Sequence, residues 1–239
     1  MLTEARKALL TTNSRRVCDE IAEAQAKRGG DCPVTLLGAT KTVPAEDILF
    51  ACDTLGMTRV GENRAEEMCA KYDDLAGHAE LHLIGTLQRR KVKTIVDKVT
   101  VIESLDSLEL AAEIDKRCAA IGKKMRVLVE VNSGREQNKG GVMPEDTPAF
   151  CDELDAFSSL ELAGLMTMAP ICEKNDDYRK YFSQTYRIFL DIFEKKPHNI
   201  REYILSMGMS DSFVPAVLEG ATEVRVGSAI FGAREYAKK

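Results

Sequence analysis

Val34-Thr-Leu-Leu-Gly-Ala-Thr-Lys41-Thr-Val-Pro44 reads as a short strand that ends on a lysine and runs at once into a helix. The apolar run is too short for a helix, and its Val and Thr favour a strand covered on both faces. Pro44 suits the first helical position, and Glu46 and Asp47 put negative charge into the first turn. Lys41 then stands at the carboxyl end of a parallel strand, where α/β folds place their chemistry. An amine held there against apolar walls loses hydration. Its pKa falls from about 10.4, and the neutral form becomes a nucleophile toward a carbonyl. The competing reading is one more surface lysine among 33 basic residues.

Outward from this stretch, strand-like and helix-like segments alternate strictly. Residues 2–28 hold no Pro or Gly and carry Leu2, Ala5, Leu9, Val17, Ile21 and Ala24 at roughly helical spacing, with Gly29-Gly30 as the stop. The Leu36 strand leads to a helix with Ile48, Cys52 and Leu55 on one face. Further strands are predicted at 57–60, 81–84, 99–103, 126–131, 160–166, 203–205 and 223–226. Gly85-Thr86 opens the helix after the third, 144–157 is the helix after the fifth, and 176–195 follows the sixth. A helix over 212–218 follows the seventh, and a last one starts at Ser228. Eight short strands, each with its helix, predict one domain over 1–239: a closed (β/α)8 TIM barrel with an extra N-terminal helix. The Val- and Leu-rich strands are expected to fill the barrel interior. An open doubly wound sheet has the same alternation and is the alternative, because strand order is not written in the sequence.

Composition narrows the partners. Of 239 residues 44% are hydrophobic and 30% charged, and the formal net charge is −5, which disfavours nucleic acid or an anionic membrane as a partner. Arg89-Arg-Lys91-Val-Lys93 is a local basic cluster, read as the solvated face of a helix. No apolar run approaches the ~20 residues of a membrane span. The start, Met1-Leu-Thr-Glu-Ala-Arg6, lacks the pattern of a signal peptide. Seven scattered cysteines without a CxxC pair suggest reduced thiols and a cytoplasmic protein. Three histidines, none spaced against a cysteine pair, make a metal site improbable.

In a barrel the residues just past each strand face one mouth: Lys41, Asn63, Ile84-Gly85, Ser104, Asn132, Thr167, Ser206 and Gly227-Ser228. One nucleophile among neutral hydrogen-bonding groups suits a small anion better than a metal. Barrels often hold phosphate in the loops after strands seven and eight, here Leu205–Asp211 and Val224–Ala229. Gly227 lets the backbone approach, and Ser206 and Ser228 offer hydroxyls. Ser210 and Ser228 as plain helix caps is the competing reading. Arg225, one residue inside strand eight, needs an acceptor if buried, and a strand acid is the simplest one. Asn132–Gly141 is a polar, glycine-bearing loop with the make-up of a flap.

Together these stretches resemble the pyridoxal phosphate homeostasis proteins, which are similar to the barrel half of alanine racemase. The motifs are Gly38-Ala-Thr-Lys41-Thr with Pro44, Val60-Gly-Glu-Asn63, His82-Leu-Ile-Gly85-Thr-Leu-Gln88, Val131-Asn132 with Glu136, Lys139 and Gly141, Gly164-Leu-Met166, Leu205–Asp211, and Val224–Gly232. The resemblance implies a fold-type III barrel that binds pyridoxal 5′-phosphate (PLP). In it Lys41 would carry the cofactor as an internal aldimine. Ser206, Gly227 and Ser228 would hold its phosphate, Arg225 would face the pyridine nitrogen, and Asn63 and His82 would lie near the ring. The implied role is a cytoplasmic monomer in PLP homeostasis, buffering the cofactor or delivering it to PLP-requiring apoenzymes, with no catalytic residue of its own. An amino-acid racemase and a cofactor-free Schiff-base aldolase are the alternatives. The racemases bring a second base from an added β-domain, and this sequence ends at Lys239, soon after the eighth strand. Leu81, Arg90 and Glu130 depart from the residues usual in the family.

Overall fold

The computed structural model describes residues 2–29, 32–193 and 203–233. Eight parallel strands close into one barrel in sequence order: β1 Thr35–Ala39, β2 Arg59–Glu62, β3 Glu80–Leu83, β4 Val101–Leu105, β5 Met125–Val131, β6 Leu160–Thr167, β7 Ile204–Met207 and β8 Glu223–Val226. The ring is sealed by β8 against β1, with Leu36 opposite Val224 and Leu37 opposite Arg225. The closed barrel is therefore the architecture, and the open sheet is not.

Helices wrap the outside: α1 Glu4–Arg28, α2 Ala45–Asp53, α3 Ala65–Leu75, α4 Val92–Ile95, α5 Leu108–Ala120, α6 Thr147–Glu153, α7 Asn175–Phe193, α8 Phe213–Leu218 and α9 Ser228–Phe231. Burial of Leu10, Val17, Ile21 and Ala24 gives α1 one apolar stripe. Thr3 caps its start by accepting from the Arg6 N–H at 3.2 Å. At the other end, Arg28 donates to the carbonyl of Ala221 at 3.0 Å, and Asn13 midway donates to that of Ile230 at 3.0 Å. The added helix is thus fastened to the last strand–helix unit.

Some boundaries stand where expected, such as β8 at Glu223–Val226, and others moved. Pro44 is the cap before α2 rather than its first residue, and its carbonyl accepts from Asp47 and Ile48. After β3 no helix opens at Gly85-Thr86; helical structure begins as a tight turn at Arg89–Lys91 and continues into α4. Ser104 and Ser206, expected just past their strands, lie within β4 and β7, and Thr167 is the last residue of β6. Gly30 and the predicted end of the seventh helix at Lys195 lie outside the described residues. The basic cluster is a surface feature, with Lys91 paired to Glu66 at 2.7 Å.

The expected Val- and Leu-filled interior is only partly present. Most strand Val and Leu residues pack outward against the helices in one large cluster. A separate small cluster, Val101, Leu128, Ala163, Met166 and Ile204, sits inside one side of the barrel. The other side of the interior is charged.

Candidate functional site

Lys41 lies half-buried on the turn after β1. The next residue, Thr42, has φ +62°, a left-handed conformation that a β-branched residue rarely adopts. Lys41 shares a cavity of about 580 Å³ with Arg6, Pro44, Asp47, Gly227 and Ser228. The first strand's lysine and the last strand's glycine–serine pair therefore meet across the seam that closes the barrel. At Gly227 a Cβ would lie 2.8 Å from the Ala39 carbonyl oxygen, so only glycine lets β8's end come this close to β1. The N–H groups of Gly227 and Ala229 converge on Ser210 Oγ at 3.3 and 3.2 Å. Two amides and a hydroxyl gathered at one point form a small polar cradle: the amides are engaged by Ser210 Oγ here, and an anion that took its place would find both donors. Ser228, at the start of α9, is exposed beside it.

Arg6 forms the far rim. Its Nη2 donates to Asp47 Oδ2 at 2.5 Å and to the carbonyl of Phe231 at 2.8 Å, joining α1 to α2 and α9.

Beneath the mouth, a chain of polar contacts crosses the barrel. Arg225 points inward: Nη1 donates to Ser206 Oγ at 2.7 Å and Nη2 to the Thr167 carbonyl at 2.9 Å. Ser206 donates in turn to Glu103 Oε2 at 2.7 Å, and the other Glu103 oxygen lies 2.7 Å from His82 Nδ1. Deeper still, Arg59 pairs with Glu223 at 3.0 Å and with Glu80 at 2.8 Å. Among the described residues, His82 Nε2 and Glu223 Oε1 in this network, and Glu62 Oε2 outside it, are buried without a hydrogen-bond partner.

The electrostatics follow from this packing. Burial alone would push the His82 pKa down, but the bond to Glu103, then Glu80 and the charge of Glu223, lift it to about 9. Burial works against the Glu103 carboxylate, yet His82 and Arg225 hold its pKa below the usual range. Burial, then the charge of Glu103, pushes Glu223 up to about 7. Burial and Asp106 push Glu130 on β5 up to about 7. The ligand atoms of His82, Glu103 and Glu223 lie within 4.8 Å of one another, which is the composition of a cation site. Arg59 and Arg225 already supply positive charge there, and His82 and Glu103 spend facing atoms on each other.

The expected site residues thus separate into two groups. Lys41, Gly227 and Ser228 come together at one cavity. Ser206, Arg225 and His82 are buried in the interior network, with the Ser206 hydroxyl occupied by Arg225 and Glu103 rather than open to the mouth. Asn63 follows β2 at the same barrel end and touches β3's exit, where a Cβ on Gly85 would lie 2.2 Å from its carbonyl oxygen. The Asn132–Gly141 loop is tied to itself: Asn132 Nδ2 donates to the Glu136 carbonyl at 3.0 Å and its Oδ1 accepts from the Glu136 N–H at 3.1 Å. A strand acid was expected beside Arg225 without its identity, and Glu103 stands there at 4.0 Å; Glu103 as the partner of His82, and the Arg59–Glu223 pair below, were missed. A period-2 signal was available in Glu80-Leu-His82-Leu and Glu223-Val-Arg225-Val, each a strand with one charged face.

Comparison with known proteins places the fold and the family. Residues 48–235 match the family described as alanine racemase, N-terminal domain. A pyridoxal phosphate homeostasis protein of Aquifex aeolicus is 41% identical over 92% of this chain and 96% of its own length. The crystal structure of an unknown protein from Bifidobacterium adolescentis superposes with a TM-score of 0.88, at 35% identity over 97% of this chain and 98% of that one. PipY of Synechococcus elongatus, in a structure with PLP bound, superposes with a TM-score of 0.75, at 30% identity over 89% of this chain and 100% of that one. By its barrel, its sequence and these relatives, the chain belongs to the pyridoxal phosphate homeostasis protein family, built on the alanine racemase N-terminal fold.

Proposed function

We propose that this protein binds pyridoxal 5′-phosphate reversibly at the Lys41 cavity and acts in intracellular PLP homeostasis. The observation that carries this reading is that the Lys41 amine and the Gly227–Ser228 end of the cradle line the same cavity. The cofactor supplies an aldehyde that an amine captures reversibly and a phosphate that N–H groups hold. The donor set fits: Lys41 is the amine, while the Gly227 and Ala229 N–H groups and the Ser228 hydroxyl suit the phosphate. The cradle needs glycine at 227, because a Cβ there would meet the Ala39 carbonyl oxygen. Relatives named for PLP homeostasis, and PipY with PLP bound, support the ligand and the role.

Arg225 serves the site from below. Its guanidinium is held by Ser206 and Thr167, and a pyridine nitrogen placed against a guanidinium gains a hydrogen bond but no proton. That favours holding the cofactor over catalysing carbanion chemistry with it. In our reading Asn63 flanks the ring, and His82 and Ser206 act on it through Glu103 and Arg225. The whole chain, 1–239, works as one barrel domain, as a cytoplasmic monomer that buffers PLP or passes it to PLP-requiring apoenzymes. No helix among the described residues is long and apolar enough to cross a membrane.

The test is to load the protein with PLP, reduce it with borohydride and map the adduct by peptide mass. The adduct is expected on Lys41. An adduct confined to other lysines overturns the assignment.

A further inference from the structure

Helix α3 grips the backbone on both sides of Lys41. On one side, Lys71 Nζ donates to the Thr40 carbonyl at 3.0 Å and to Glu62 Oε1 at 2.6 Å. The Thr40 hydroxyl lies 2.8 Å from the same Glu62 oxygen and 3.2 Å from the Gly61 carbonyl. On the other side, the Thr42 N–H donates to Glu67 Oε2 at 3.0 Å. Glu67 and Lys71 are four residues apart, so they project from one face of α3. Thr40 and Glu62 are fully buried.

These contacts reach beyond holding two elements together. Thr42 sits in a left-handed conformation that costs a β-branched residue free energy, and such strain persists only where the surroundings over-determine it. The Glu67 carboxylate supplies that constraint at the strained residue itself. The Glu62–Lys71 pair fixes the preceding peptide with a charged donor on its carbonyl. The residue between these two anchored peptides is the lysine that faces the cavity.

We propose that Glu67 and Lys71, backed by Glu62, are positioning residues for Lys41, locking its turn in one conformation so that the amine meets an aldehyde–phosphate held in the cradle. The proposal rests on the PLP reading for the identity of that ligand. The lock itself is a property of the free protein and is measured separately. A lysine fixed by its neighbours reacts with a correctly held aldehyde faster than a mobile one, because its orientation is settled in advance.

The experiment compares wild type with Glu67→Ala, Glu67→Gln and Lys71→Met, using two readouts. The first is hydrogen exchange of the Thr42 amide in the unliganded protein. The second is the ratio of Lys41 labelling by PLP to Lys41 labelling by formaldehyde, both under reducing conditions and read by peptide mass. Formaldehyde has no phosphate to be held, so it reports the exposure of the amine alone. For Glu67→Ala, exchange at Thr42 should rise about tenfold and the labelling ratio should fall about tenfold, the worth of one hydrogen bond to a charged group. Glu67→Gln keeps an acceptor oxygen and should recover most of both. Lys71→Met should lower the ratio with a smaller change at Thr42. A lower melting temperature in Glu67→Ala with the ratio unchanged would make the contacts structural only and overturn the proposal, as would unaltered Thr42 exchange. If PLP labels some other lysine in wild type, the PLP reading fails and positioning for PLP falls with it, whereas the Thr42 measurement still stands or falls alone.

Discussion

Replacing Ser206 with alanine separates two roles that a serine near this mouth could have. In the structure its hydroxyl is fully buried and makes two short contacts, accepting from Arg225 at 2.7 Å and donating to Glu103 at 2.7 Å. Both partners are ionised, and each hydrogen bond to a charged group contributes about 1.5–3 kcal/mol. Part of the loss is recoverable, because Arg225 Nη1 already stands 4.0 Å from Glu103 Oε2 and can close on it once the hydroxyl has gone. The net cost should be about 2–3 kcal/mol of folding stability. In a chain of this length that corresponds to a fall in Tm of about 4–12 °C. Affinity for PLP should change by less than about threefold, since losing a phosphate ligand costs nearer tenfold. Denaturant unfolding and a fluorescence titration with PLP measure the two quantities. A tenfold loss of affinity with unchanged stability would place the Ser206 hydroxyl on the phosphate and refute the interior assignment.

Lys41→Ala should abolish the borohydride-stable adduct yet leave weak PLP binding through the cradle, seen as a phosphate-dependent signal in equilibrium dialysis. Ser228→Ala should weaken PLP by about 1–2 kcal/mol, and Ser228→Asp by far more, because a carboxylate would face the phosphate; equal affinities in a titration would move the phosphate elsewhere. Gly227→Ala should reduce affinity more than Ser228→Ala does, since its Cβ at 2.8 Å from the Ala39 carbonyl forces the cradle away from β1; unchanged binding would show that the cradle is not used. The folded pKa values of Glu223 and His82, about 7 and about 9, lie above their ordinary values of 4.5 and 6.5. Their contribution is complete at low pH and is lost as pH rises through 7 and then 9. Tm should therefore fall across that range, and His82→Gln should flatten the upper part of the profile. A Tm that rises steadily from pH 6 to about pH 9 would contradict the protonation states assigned to the interior.

The alternation of strands and helices was legible because helix and strand faces leave different spacings, and Lys41 and Gly227-Ser228 were legible because they end strands. What was hidden depends on register. Arg59 and Glu223 are 164 residues apart and meet only because β8 closes the ring beside β1. Nothing local in Glu103 marks it as the partner of both His82 and Ser206. Ser206 looked like a mouth residue because β7 was read as ending at Leu205, whereas it continues to Met207. A shift of two residues turned a presumed anion ligand into part of the interior. The grip of α3 on the Lys41 turn likewise needs tertiary distances, since Glu67 and Lys71 otherwise look like ordinary surface charges.

The closing seam has a consequence for how the polypeptide is made. β1 must wait for β8, and Arg6 for the carbonyl of Phe231, 225 residues later. On the ribosome, an incomplete barrel therefore exposes both a free strand edge and its inner wall. In an apolar barrel that wall would be a sticky surface and an invitation to intermolecular pairing. Here the wall of the early strands carries Arg59, Glu80 and Glu103, charged side chains, with the polar His82 among them, and water can hydrate all four until the last strand arrives. An ionic inner wall offers less to intermolecular pairing than an apolar one would, and its desolvation falls to the moment of ring closure.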